Sequence, residues 1–183
     1  YTFQHFGKEE HERLLRQFKQ EQLFTKAGNG EITSNTFLTM LGYDNPEYHM
    51  RNYIENYLTL DNTFIPFAEK YHAQYEFVLL SNDVSEWSSY ITDYYRLNQY
   101  FKDKIVSGDV KCRKPDKKIY ELALEKIQRA PSECYFIDNS VQNLKVAKEL
   151  GISPILFNRD NEEYTGVIIN SFEELDNFMQ YNL

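Results

Sequence analysis

The stretch from Cys134 to Gly151, CYFIDNSVQNLKVAKELG, constrains this chain more than any other. Four strand-favouring residues, Cys134 to Ile137, run directly into Asp138-Asn139-Ser140. A helix is predicted next, because Val141, Leu144, Ala147 and Leu150 recur at helical spacing. Ser140 is placed to cap its N-terminus, and Gly151 to close its C-terminus in a left-handed conformation. A short buried strand that ends on a carboxylate and turns at once into a helix is how open α/β sheets present reactive groups, at the carboxyl ends of their strands. Two readings of Asp138 stand side by side. It offers oxygen to a hard cation such as Mg2+, or it caps the helix.

Residues 1–60 read as helical. Leu14, Leu15 and Phe18 form a narrow apolar stripe between Lys8 and Phe24. After the turn-forming Gly28-Asn29-Gly30, a short helix is predicted from Thr33 or Ser34, burying Phe37, Leu38 and Leu41 and stopping at Gly42. A third helix starts after Pro46 and carries Tyr53, Ile54, Tyr57 and Leu58. The tyrosines here (Tyr43, Tyr48, Tyr53, Tyr57) are either amphipathic edges of a core or the lining of a sugar-sized or aromatic pocket.

From Asp61 to the end, helices and strands alternate. Thr63 to Tyr71 is predicted helical, and Phe77 to Leu80 is a continuous apolar run expected of a strand buried on both faces. A helix carrying Trp87, Tyr90, Ile91, Tyr94 and Tyr95 follows, then a short strand at Ile105-Val106. Lys114-Pro115-Asp116 opens a helix with Ile119, Leu122, Ala123 and Ile127 inward. After the Cys134 strand and its helix come strands at Pro154 to Phe157 and Val167 to Ile169, then a closing helix from Phe172 to Met179. This order predicts an α/β fold with a parallel, Rossmann-like sheet and helices on both faces. Residues 61–183 are the expected core, and 1–60 a small helical appendage.

Charge and cysteine content narrow the function classes. The formal net charge is -8 with no lysine or arginine run, so nucleic acid and anionic membranes are poor partners. No apolar run approaches the roughly 20 residues of a membrane helix, and no signal peptide is recognisable. Cys112 and Cys134 make neither a disulfide framework nor a zinc spacing, which suits a reducing cytoplasm. His5, His11, His49 and His72 show no metal-ligand pattern.

The chemistry is expected where the strands end. Ser81 follows one strand, Asp138 another, and Lys114 the loop after a third. A hydroxyl, an ammonium and a carboxylate at one sheet edge suit phosphoryl transfer. The hydroxyl and nearby backbone N–H groups hold non-bridging oxygens, the lysine neutralises charge, and the carboxylate holds Mg2+.

The segments FVLLSND, CRKPDKKIYELALEK and CYFIDNSVQNLKVAKELGI resemble the second, third and fourth motifs of the haloacid dehalogenase-like (HAD) hydrolases. The intervals fit as well, with 33 positions from Ser81 to Lys114 and 24 from Lys114 to Asp138. FKDKIVSGDVKCRKPD and GNGEITSNTFLTML resemble the subgroup containing sugar-phosphate phosphatases and dehalogenases, the latter segment lying in its helical cap. The resemblance implies that residues 1–60 are a cap and that Ser81 binds the phosphoryl group, with Asn82 beside it. It implies that Lys114 steadies the nucleophile and the phosphoryl charge and that Asp138 coordinates Mg2+. Asn139 and Asn143 are expected to support that carboxylate. The implied reaction is Mg2+-dependent hydrolysis of a small phosphorylated metabolite through an aspartyl-phosphate. Alternatives are a metal-independent dehalogenase, or a silent fold that binds a ligand or protein.

Two departures from the family pattern stand out. Members often carry a second acid after the motif-four aspartate, where this chain has Asn139. The family's nucleophile and acid/base pair, Asp-x-Asp at the end of a first, central strand, occurs nowhere in the chain, whose earliest aspartate is Asp44. Asp83 belongs to the serine motif and is no substitute. A central strand with both aspartates is therefore expected upstream of Tyr1, in an extension of about 15–25 residues. Lys114→Ala is expected to lower turnover without unfolding the chain.

Overall fold

A computed structural model describes residues 1–182. Five helices come first: α1 (Thr2–Phe6), α2 (Lys8–Gln20), α3 (Leu23–Gly28), α4 (Ser34–Met40) and α5 (Pro46–Tyr57). Helix α6 (Phe64–Tyr71) leads into β1 (Phe77–Ser81), followed by α7 (Ser85–Tyr94) and β2 (Phe101–Val106). The one-turn α8 (Ser107–Val110) and α9 (Lys117–Ile127) precede β3 (Tyr135–Asp138). After α10 (Val141–Glu149) come β4 (Ser153–Phe157), β5 (Val167–Ile169) and α11 (Phe172–Asn182).

Local chemistry sets several of these boundaries. Thr33 accepts from the Thr36 N–H at the start of α4, and Asn45 accepts from Tyr48 N–H with Pro46 in the first helical turn. Asp116 does the same for α9. Ser140 accepts from Asn143 N–H to begin α10, and Gly151 follows that helix at φ +87, as the sequence predicts.

Contacts divide the chain into two compact units. The first comprises Tyr1–Leu60, Leu79–Gln99 and Lys104–Arg113. The second comprises Asp61–Val78, Tyr100–Asp103 and Lys114–Leu183. The first unit is built on α2–α5 and α7, with Leu14, Leu23, Phe37, Ile54 and Val84 almost wholly buried in one cluster. Trp87 seats its ring against Phe37 and Tyr53 there, and its indole N–H donates to Ser34 Oγ at 2.6 Å. Leu15 is not part of this core. It projects outward, 41% exposed, because the buried stripe of α2 narrows to Leu14.

The second unit is organised on a three-stranded parallel sheet ordered β3-β4-β5, with Ile137 opposite Ile155 and Ile155 opposite Val167. Phe67 of α6 and Leu175 of α11 pack with Ile155, Phe157 and Ile169 of the sheet. Burying each such side chain contributes about 1.5–3 kcal/mol. β1 and β2 form a separate two-stranded sheet. The parallel Rossmann-like α/β architecture predicted from the alternation is present.

One strand differs from its prediction. β1 was expected to be buried on both faces, yet all five of its residues are only partly covered. A strand in a two-stranded sheet lacks the flanking neighbours that shield a central parallel strand. β3 is likewise an edge of its sheet, and it leaves Tyr135 44% and Ile137 38% exposed.

Candidate active site

The C-terminal end of β3 carries Asp138, and the turn into α10 fixes one of its oxygens. Asp138 Oδ1 accepts from Ser140 N–H at 2.8 Å and from Asn143 Nδ2 at 3.1 Å. Oδ2 accepts from Lys114 Nζ at 2.7 Å. The Lys114 ammonium also sits 5.3 Å from the centre of the Phe136 ring, where the π face favours a cation. Both side chains of the ion pair are more than nine-tenths buried. The two readings of Asp138 are therefore compatible: one oxygen closes the helix turn, and the other faces a charged partner.

Tyr120 supports the pair from below. It is fully buried on α9, stacks edge-on against Phe136 with centroids 5.3 Å apart, and donates its hydroxyl to the Asn143 carbonyl at 3.0 Å. Burial, and then the Asp138 carboxylate, push the phenol pKa well above its ordinary value. The inward stripe expected on α9 from the sequence runs through Ile119, Leu122, Ala123 and Ile127 and leaves this residue out. Tyr120, Ala123 and Ile127 also keep helical spacing, and that signal would have found it.

The second unit thus brings Lys114, Asp138 and Asn143 together. Asn139 turns elsewhere: its Nδ2 donates to Asp160 Oδ2 at 3.0 Å, in the loop after β4. Lying past the strand end, it faces the neighbouring strand's loop, and its amide is engaged there and not on Asp138. Ser81 and Asn82 belong to the first unit. Ser81 is the last residue of β1 and half-buried, and Asn82 begins the turn to α7. In that turn, Asp83 accepts from Val84 N–H at 2.8 Å, and burial pushes its carboxyl up to about 6.

The donor set bears on a metal. Among the described residues no three or more His, Cys, Asp or Glu side chains converge as a cage. Magnesium, however, keeps several waters and commonly takes only one or two carboxylates besides substrate phosphate. Asp138 Oδ2 accepts from Lys114 Nζ, and a carboxylate oxygen has two acceptor sites, so it fits as one such ligand.

A buried lysine–carboxylate pair at a strand's carboxyl end lies where open α/β sheets bind their ligands. The chain matches the haloacid dehalogenase-like hydrolase family over residues 5–151, and it belongs to that family. It is 34% identical over 76 residues to bifunctional epoxide hydrolase 2 of Rattus norvegicus, a stretch that is 38% of this chain and 14% of that protein. The chain spans only 4% to 14% of the curated relatives it matches. A HAD family enzyme from Bacteroides thetaiotaomicron, solved in complex with magnesium and inorganic phosphate, superposes with a TM-score of 0.67 at 25% identity, over 78% of this chain and 77% of that one. L-2-haloacid dehalogenase from Xanthobacter autotrophicus shares the fold with a TM-score of 0.70 at 16% identity, over 100% of this chain and 91% of that one.

Proposed function

We propose that this chain forms the body of a Mg2+-dependent phosphatase of a small phosphorylated metabolite. The observation that carries the reading is the buried Lys114–Asp138 pair, with the carboxylate's second oxygen held by Ser140 and Asn143. Lys114 neutralises charge on the phosphoryl group and the nucleophile. Ser81 and Asn82 hold non-bridging oxygens, and residues 1–60 act as the cap over the substrate. Asp138 would hold Mg2+, which when bound polarises a phosphoryl oxygen. Similarity to the magnesium and phosphate complex supports this assignment.

The nucleophilic aspartate comes, in this reading, from a further strand that pairs with the edge of β3. Edge position and the exposure of Tyr135 and Ile137 support a missing neighbour there. That strand would carry the aspartate that becomes phosphorylated and its acid/base partner. The two cysteines are free thiols, which suits a reducing compartment such as the cytoplasm.

A second reading has its own support. Lys114 already gives Asp138 a cationic partner from the protein itself, as a metal-independent dehalogenase would use. Assays of the full-length gene product separate the two. Phosphate release from a panel of sugar phosphates and other phosphorylated metabolites, abolished by EDTA and restored by Mg2+, is the expected result. Halide release from 2-chloropropionate in EDTA, with no phosphate release, would establish the dehalogenase instead. Neither activity would leave a ligand-binding or protein-binding role.

A further inference from the structure

We infer that Ser107 is a positioning residue that couples the Gly28–Gly30 loop to the turn following Ser81. Ser107 is fully buried. Its Oγ donates to the Gly28 carbonyl and accepts from the Asp83 N–H at 3.0 Å. One hydroxyl thereby satisfies a donor in the serine turn and an acceptor on Gly28, the last residue of α3. Neighbouring contacts tighten the same junction. Gly108 N–H donates to the Asp83 carbonyl at 3.2 Å. Lys111 Nζ donates to the carbonyls of Gly30 and Gly108 at 2.9 and 2.8 Å. The loop approaches so closely that a Cβ on Gly30, which sits at φ +64, would lie 2.0 Å from Lys111 Nζ and 2.2 Å from the Gly108 carbonyl.

The consequence is mechanical. A displacement of the Gly28–Gly30 segment pulls on the backbone of Asp83, two residues past Ser81, directly through Ser107 Oγ, with the Lys111–Gly108 contacts alongside. The role in substrate binding rests on the reading of the Ser81 turn as the phosphoryl-holding one. The coupling itself does not.

Amide hydrogen exchange on the chain tests the coupling without any ligand. Removing the hydroxyl in Ser107→Ala leaves the Asp83 N–H and the Gly28 carbonyl without their buried partner. Exchange is expected to speed up together at Asp83 and at Asn29, Gly30 and Glu31, while Leu144 in α10 keeps its protection. Acceleration of one set alone overturns the coupling. Should Ser107→Ala fail to fold, the unsubstituted chain decides: in rising denaturant both sets must open with one free energy, and two distinct values overturn the inference. In the full-length enzyme Ser107→Ala is expected to raise KM for a phosphate ester about tenfold with kcat little changed, the pattern of lost positioning and not lost chemistry. An unchanged KM rejects the role in substrate binding. Absence of hydrolysis by the unsubstituted enzyme rejects the phosphatase reading, and the exchange data still judge the coupling.

Discussion

Lys114 Nζ lies 2.7 Å from Asp138 Oδ2, with the two side chains only 9% and 7% exposed. Each charge is thus kept in a largely dry site by the other. Taking the lysine away leaves the carboxylate buried without its cation, a different situation from an ion pair on the surface.

Lys114→Met is predicted to lower turnover of the proposed phosphatase at least about 100-fold. It is also predicted to cost on the order of 3 kcal/mol of stability, because Asp138 remains buried without its cation. The sequence alone suggested that the fold would tolerate loss of this lysine, but the burial of the pair argues otherwise. Urea denaturation of the variant beside the parent measures the cost, and equal midpoints would refute it.

Asp83→Asn is predicted to stabilise the protein at neutral pH. The carboxyl titrates near 6 in the fold, above its ordinary 3.8, because burial disfavours the charged form. A raised folded-state pKa of an acid means the unfolded chain ionises first, so stability falls as pH rises from about 4 to 6 and then levels off. The substitution should therefore gain up to about 3 kcal/mol at pH 8 and nothing near pH 3. Its amide oxygen can still accept from Val84 N–H. Melting temperatures at the two pH values provide the comparison, and a gain of equal size at both would contradict the assignment.

Tyr120→Phe is predicted to cost about 1 kcal/mol through loss of the hydrogen bond to the Asn143 carbonyl. Because burial and the Asp138 charge hold the phenol protonated, Tyr120 should contribute no phenolate absorbance in the native protein as pH is raised past 10. A spectrophotometric titration in which the variant loses one early-titrating tyrosine would be the contrary outcome.

Much of the fold was legible in residue order. The Ser140 cap, the Gly151 stop and the Asp116 start each rest on one local hydrogen bond or one backbone conformation, which a sequence displays directly. The apolar run of β1 was equally plain, but its burial was not. Burial depends on which strands flank it, and pairing is a long-range matter. The candidate site was legible in its strand-end carboxylate and its lysine, which the structure brings together. It was opaque where the partners are remote in sequence: Asn139 reaching Asp160, or Ser107 reaching Gly28. A lone serine after a strand carries no mark of the two segments it joins.

Ile137→Thr is predicted to be nearly neutral in the present chain, within about 0.5 kcal/mol, since the side chain is 38% exposed at a sheet edge. In a chain extended by the proposed strand, the same change should cost about 1–2 kcal/mol. Equal costs in both proteins, measured by chemical denaturation, would count against the added strand.

Trp87 is the chain's sole tryptophan, and its indole is pinned to Ser34 within the helical unit. Emission excited at the red edge of protein absorbance therefore reports on that unit alone. The β3-β4-β5 half is optically silent at that wavelength. Comparing the fluorescence transition with far-ultraviolet dichroism would show directly whether the two units melt together or one after the other.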